Sequence, residues 1–262
     1  MEQLLGLQTE WLLYLMLMFL RVSGIFFMSP IFGRKNIPTM MKAGFCLVLT
    51  IIFINVFPPD NLLTNINVID YIVLCMKELL MGFILGFITS VFFYITYAAG
   101  QLIDMQVGLS IAQLYDPTSN SQIPITGGLL YTILIVYFFT IDGHLMLIKL
   151  LYATFGKIPI GHVAFNLLLV NKIVEAFVLS FTMAFALAMP IITASLLVEV
   201  ALGVIIKSVP QMNVFVVGMP LKIFMGFVML FLMVPFFSQF CNLIFDKMFY
   251  AAESIFNGMV QS

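Results

Sequence analysis

Long apolar runs separated by short polar punctuation make up most of the chain. Thr9 and Glu10 precede a run from Trp11 to Met28, which closes at Ser29 and Pro30. At about 1.5 Å per residue such a run approaches the roughly 30 Å apolar thickness of a bilayer. A polar turn from Gly33 to Pro38 leads into a second run, Met41 to Phe57, stopped at Pro58 and Pro59. Proline cannot continue a helix, and the residue before it avoids the helical region. The third run, Ile69 to Ala98, keeps helical spacing through Ile103, Val107 and Ile111 towards Leu114, so it outlasts one crossing. The stretch from Asp116 to Pro124 has the composition of a turn-rich loop, and Gly127 and Gly128 open a fourth run to about Leu151. Beyond Pro159 and Gly161 lie a fifth run, about Asn171 to Lys207 with Pro190 inside it, and a sixth, Val214 to about Phe249, interrupted by Pro220 and Pro235. Both exceed the roughly 20 residues a span needs. Each is expected to be a kinked helix or a short helical hairpin, because membrane helices tolerate proline where neighbours satisfy the freed carbonyls. There is no internal repeat and no low-complexity tract.

Composition turns these runs into a membrane assignment. Of 262 residues, 63% are apolar and 9% charged, with a mean hydropathy of +1.15, against about a quarter charged in a soluble domain. The 11 basic and 12 acidic residues leave a net charge of -1 and form no run able to track a nucleic-acid backbone. Cys46, Cys75 and Cys241 lie far apart without CxxC spacing and read as small buried hydrophobes. Glu2 and Glu10 stand where a cleavable signal would carry bases, so the first run is expected to stay in the mature protein.

Charge placement complicates the topology. The first turn carries Arg34, Lys35 and Lys42 and the next carries Asp60 and Asp70, which sets the first turn in the cytoplasm. Strict alternation then puts Lys149, Lys157 and Lys172 outside, against the rule. Either six is the wrong count, or the helices do not cross lipid one by one, as in an assembly whose subunits bury each other.

Arg21, Lys77, Glu78, Glu175, Glu199, Lys207 and Lys222 lie within or beside apolar runs. An unpaired charge there costs several kcal/mol, so each must face protein, water or a partner charge. On a helix, Glu78, Gly82, Gly86 and Ser90 form one stripe, and Ser195, Glu199, Gly203 and Lys207 another. Two readings apply: close helix packing at small residues, or an ion or proton pathway through Glu78 or Glu199. Gly108, Leu109 and Ser110 match part of an intramembrane serine protease, but His144 and His162 lie outside the last two runs, where the base would be needed. Catalysis is not expected. Asp142, Gly143 and His144 read as a helix-end turn and not a metal site, and no phosphate-binding loop, metal set or cofactor motif is expected.

The polar residues also form a series. Arg21, Ser23 and Gly24 are followed by Ser29 to Gly33, Pro38 and Lys42; then come Glu78, Gly82, Gly86 and Phe87, the block Ala99 to Gly108, Asp116 with Pro117, Asp142 to His144, and Phe155 with Pro159 and Gly161. Glu199, Leu202, Gly203, Lys207, the block Pro210 to Phe215, Gly218, Pro220 and Lys222 complete it. In order and spacing it resembles the FliR-type export-gate subunits of flagellar and type III secretion systems, over nearly the whole chain. The resemblance implies an all-α membrane protein, a single export-gate domain over residues 1–262, whose long kinked helices and hairpins stack with FliP-like and FliQ-like subunits into a spiral partly lifted out of the membrane. That arrangement would account for the failed charge rule. It further implies a bacterial inner-membrane location at the flagellar basal body, FlhA-like and FlhB-like partners, unfolded export substrates as cargo, surrounding lipid, no nucleic acid and no cofactor. The segment 114–127 would seal the pore, with Gln106, Gly108, Asp116, Pro117, Pro124 and Gly127 as candidate residues; an exposed connector is the plainer reading. Arg21, Glu78, Gly82, Gly86, Glu199, Gly203, Lys207 and Lys222 would be buried charges or subunit contacts. A secondary transporter for a small solute is the competing class, and it would be expected to carry an inverted repeat.

Overall fold

Within hydrocarbon each backbone N–H and C=O must find a partner inside its own segment, so continuous apolar runs fold as helices. The computed structural model describes residues 2–34, 36–58, 66–111, 124–209, 211 and 213–259. Among these residues the regular structure is helical throughout: α1 (Glu2–Met28), α2 (Thr39–Val56), α3 (Val68–Val107), α4 (Ile125–Thr140), α5 (Gly143–Lys157), α6 (Leu167–Ser208) and α7 (Val214–Gly258). Five are long and apolar enough to cross a membrane, and the broken pair α4 and α5 makes a sixth if it is one span. The chain is an all-α membrane protein.

Proline and glycine set the ends. Pro38 and Pro124 immediately precede α2 and α4, where a missing N–H is harmless. Gly108, with φ of 95°, terminates α3 while its N–H donates to the Asp104 carbonyl at 3.0 Å. Only glycine adopts that backbone without strain.

Two features of the last three runs differ from expectation or narrow it. The fourth run is two helices: Asp142, at φ 56°, takes the left-handed conformation and separates α4 from α5, so Asp142 to His144 is indeed a helix-end turn. The fifth and sixth runs are single helices of 42 and 45 residues that continue through Pro190, Pro220 and Pro235, with no hairpin. A proline removes one ladder hydrogen bond, and the apolar residues on either side leave the chain no polar place to turn.

The chain divides into two compact units, Met1–Val91 with Asp142–Ala176 and Lys247–Ser262, and Phe92–Ile141 with Phe177–Asp246. In the first, Leu17, Met18, Val22, Met81, Leu85 and Ile255 are buried. In the second, the rings of Phe93, Phe138 and Phe245 pack with centroids 5.2–5.6 Å apart. The first unit also explains two of the bases that broke the charge rule. Lys172 donates to the Ser254 carbonyl at 2.8 Å, and Lys157 donates to Asn257 at 3.4 Å and lies 5.3 Å over the Phe256 ring. Both ammonium groups meet the last turns of α7, where exposed carbonyls and the helix dipole favour positive charge.

Candidate functional site

Charge is distributed over three sites, each within one unit. The first is buried. Arg21 on α1 and Glu78 on α3 are both completely inaccessible. Arg21 Nε donates to Glu78 Oε2 at 2.6 Å and Nη2 to Oε1 at 3.1 Å, a two-pronged pair. Nη1 donates to the carbonyls of Thr154 and Ile158 at 3.2 and 2.9 Å, which close the end of α5, and the guanidinium lies 4.8 Å from the Phe155 ring centre. Glu78 Oε1 also accepts from the Gly161 N–H at 2.8 Å, where φ is 87°. The pair is thus saturated with partners, the condition under which a buried charge is tolerated.

Glycine allows α1 and α3 to come this close. A Cβ on Gly82 would collide with the Arg21 carbonyl and lie 2.9 Å from Gly24 Cα; one on Gly86 would lie 2.7 Å from both the Ile25 carbonyl and Met28 Cβ. Ser90, the last member of that stripe, donates to the Met28 carbonyl. The stripe is covered by the chain's own first helix.

The second site lies on the other unit. Asp104 on α3, fully buried, accepts from the Thr126 N–H at 3.3 and 3.2 Å and from the Thr126 hydroxyl. It satisfies donors of the first turn of α4, which has no side-chain cap of its own. Gly127 packs against Gly100, and an added Cβ there would lie 3.2 Å from Tyr97 Cα. Of the proposed pore residues, Pro124 and Gly127 therefore belong to an anchored helix start, whereas Asp116 and Pro117 lie outside the described residues.

The third site is a groove of about 370 Å³ whose walls include Gln106, Gly108, Glu199, Gly203, Gly218 and Lys222. Lys222 and Glu199 form an ion pair, 23% and 41% exposed. Ser195 donates to the Gln106 carbonyl at 3.1 Å, tying α6 to the end of α3. A Cβ on Gly203 would meet nothing within 4 Å. Lys207, one turn further along α6, is exposed. The stripe beginning at Ser195 is thus buried at its first member and open from Glu199 to Lys207, while that from Glu78 to Ser90 closes inward.

The sequence series included Gly24 and Gly161, and Gly100 and Asp104 within its block Ala99 to Gly108, but assigned none of them a role. Asp104 had a signal: it is a carboxylate inside an apolar run, subject to the argument applied to Glu78. For the glycines nothing local distinguishes a close contact from open space, as Gly203 shows. Among the described residues no three His, Cys, Asp or Glu side chains converge as metal ligands.

A sequence profile described as bacterial export proteins, family 1, matches residues 12–248. The chain is 34% identical to the flagellar biosynthetic protein FliR of Bacillus subtilis over 219 residues, 82% of this chain and 83% of that protein. It is 31% identical to the FliR protein of Escherichia coli over 245 residues, 92% of each. Against Yop proteins translocation protein T of Yersinia pestis it is 31% identical over 162 residues, 60% of this chain and 61% of that one.

Proposed function

This chain belongs to the bacterial export proteins, family 1, and from that premise we propose that it is a subunit of a membrane-embedded protein-export apparatus, lining part of the path that unfolded substrates take. The relatives named FliR favour the flagellar apparatus, at the basal body in the bacterial inner membrane. In this reading the chain is a conduit, without catalysis or cofactor, and its neighbours are FliP-like and FliQ-like subunits together with FlhA-like and FlhB-like proteins.

One observation carries the assembly part. In the second unit the Lys222–Glu199 ion pair, 23% and 41% exposed, lies beside uncovered apolar side chains of α7 such as Phe215 (77%), Phe224 (65%) and Phe231 (78%). Hydrocarbon suits the rings but not the charges, so a neighbour that offers both apolar and polar surface is expected there. The outward groove with Glu199, Gly203, Lys222, Gln106 and Gly108, and Lys207 beyond it, is the face proposed to meet neighbouring subunits or the path itself, because an ion pair is poorly placed against hydrocarbon. Arg21, Glu78, Gly82 and Gly86 are assigned an internal structural role. The segment 114–127 is proposed to seal the path at rest: its prolines and small polar residues suit only protein or a watery cavity at membrane depth.

Affinity purification of the tagged full chain from its native membranes tests the assignment. Co-purification of FliP-like and FliQ-like proteins in fixed ratio is expected. A monodisperse, partner-free chain that transports a small solute would overturn it in favour of a secondary transporter.

A further inference from the structure

The turn between α1 and α2 carries a pocket unrelated to the three charge sites. Phe26, Phe32, Ile37, Met41, Lys42 and Phe45 enclose about 200 Å³. Its wall is a ring cluster: Phe26 to Phe32 at 4.7 Å, Phe26 to Phe45 at 5.2 Å, and Phe32 stacked on Phe45 at 5.8 Å. The space is smaller than the roughly 300–1,000 Å³ of sites that enclose a whole small molecule. It is also too small for a partner helix, about 10–12 Å across with its side chains. What fits is a slender hydrocarbon chain.

Charge and depth select the ligand further. The turn joins two membrane-length helices at their polar ends, the level at which lipid headgroups lie. Lys42 is the one charged residue lining the pocket. Its side chain is half-buried, and among the described residues its ammonium has no hydrogen bond or ion pair. A lysine so placed lays its stem along apolar surface and holds its head at the interface. Met40 and Met41, 87% and 67% exposed, continue the apolar surface beside it. Arg34 adds a second base to the turn, and the first N–H groups of α2, which no side chain caps, add positive potential. Basic pockets beside membrane helices are suited to anionic headgroups.

We propose that this turn binds an anionic phospholipid, with one acyl chain among Phe26, Phe32, Met41 and Phe45 and the phosphate against Lys42. The site does not depend on the export reading.

Photo-crosslinking tests it in native membranes holding the complete assembly. Phosphatidylglycerol with a diazirine in its acyl chain is the probe, and labelled positions are mapped by mass spectrometry. Labelling at the pocket residues is expected, competed by unlabelled phosphatidylglycerol at least about fivefold better than by phosphatidylcholine. Lys42→Gln should weaken labelling about fivefold, the worth of one basic side chain near an anionic surface, and Lys42→Arg should restore it. Lys42 is partly exposed, so folding should survive both changes. Equal competition by phosphatidylcholine would overturn the anionic preference. Failure to label the pocket, with a photoreactive residue at position 45 crosslinking to another protein, would show a protein cover and overturn the lipid site altogether.

Discussion

Arg21 has no access to water, so everything its charge requires is supplied by Glu78, two α5 carbonyls and an aromatic face. Replacing it with Met should strand the Glu78 carboxylate and cost roughly 3–5 kcal/mol. The pair Arg21→Met with Glu78→Leu should be less unstable than Arg21→Met alone, though still below wild type, because the Ile158 carbonyl and the Gly161 N–H lose partners at about 1–3 kcal/mol each, while the Thr154 carbonyl keeps the Ile158 N–H. Denaturant midpoints of the purified chain in detergent check both; a double variant weaker than the single would show that the pairing is not what matters. Asp104 offers a milder case. Asp104→Asn keeps an acceptor for Thr126 and should cost little, whereas Asp104→Leu leaves the Thr126 N–H and hydroxyl unsatisfied and should cost about 1–3 kcal/mol. Equal midpoints for the two variants would count against an anchoring role.

At the scale of helices, the two glycine stripes that look alike in sequence behave oppositely. Gly82→Ala forces a methyl into the α1 backbone at the carbonyl of Arg21, the residue whose side chain pairs with Glu78 one turn away. It should lower stability by about 1–3 kcal/mol even in the isolated chain, and Gly82→Leu or Gly86→Leu should prevent assembly. Gly203→Ala meets open space and should stabilise the isolated chain by about 0.5–1 kcal/mol, the usual gain of alanine within a helix. Gly203→Leu should leave the isolated chain folded yet reduce recovery of partner subunits. Comparing denaturant midpoints with partner recovery separates the cases: undiminished recovery with Gly203→Leu would mean that the groove faces lipid or water. Proline, in turn, did not divide α6 or α7, since a single lost hydrogen bond is a weak break beside the absence of any polar site for a turn.

For the whole molecule, the proposed conduit is tested at the segment between α3 and α4. Shortening the segment between Ile111 and Pro124, while sparing the anchored Thr126 and Gly127, should leave assembly intact and make the resting apparatus permeable. Membrane potential and small-solute entry in cells carrying an otherwise complete apparatus measure it. Unchanged permeability in a correctly assembled complex would count against a seal, and failed assembly would make the segment a subunit contact.

The sequence by itself determined the class: apolar runs of these lengths, so little charge and no polar face leave only helices in an apolar medium. It also determined which residues must be special, because a charge inside such a run is expensive wherever it lies. Tertiary structure alone decided how each was accommodated. Glu78 and Glu199 each stand four residues before a glycine in their stripes, yet one is sealed against arginine and glycine while the other lines an open groove. The contacts of Lys157 and Lys172 could not be read from the sequence, because their partners, the final turns of α7, lie far away along the chain. Periodicity and composition report what a segment must bury, but the identity of the surface that buries it depends on contacts between distant parts of the chain.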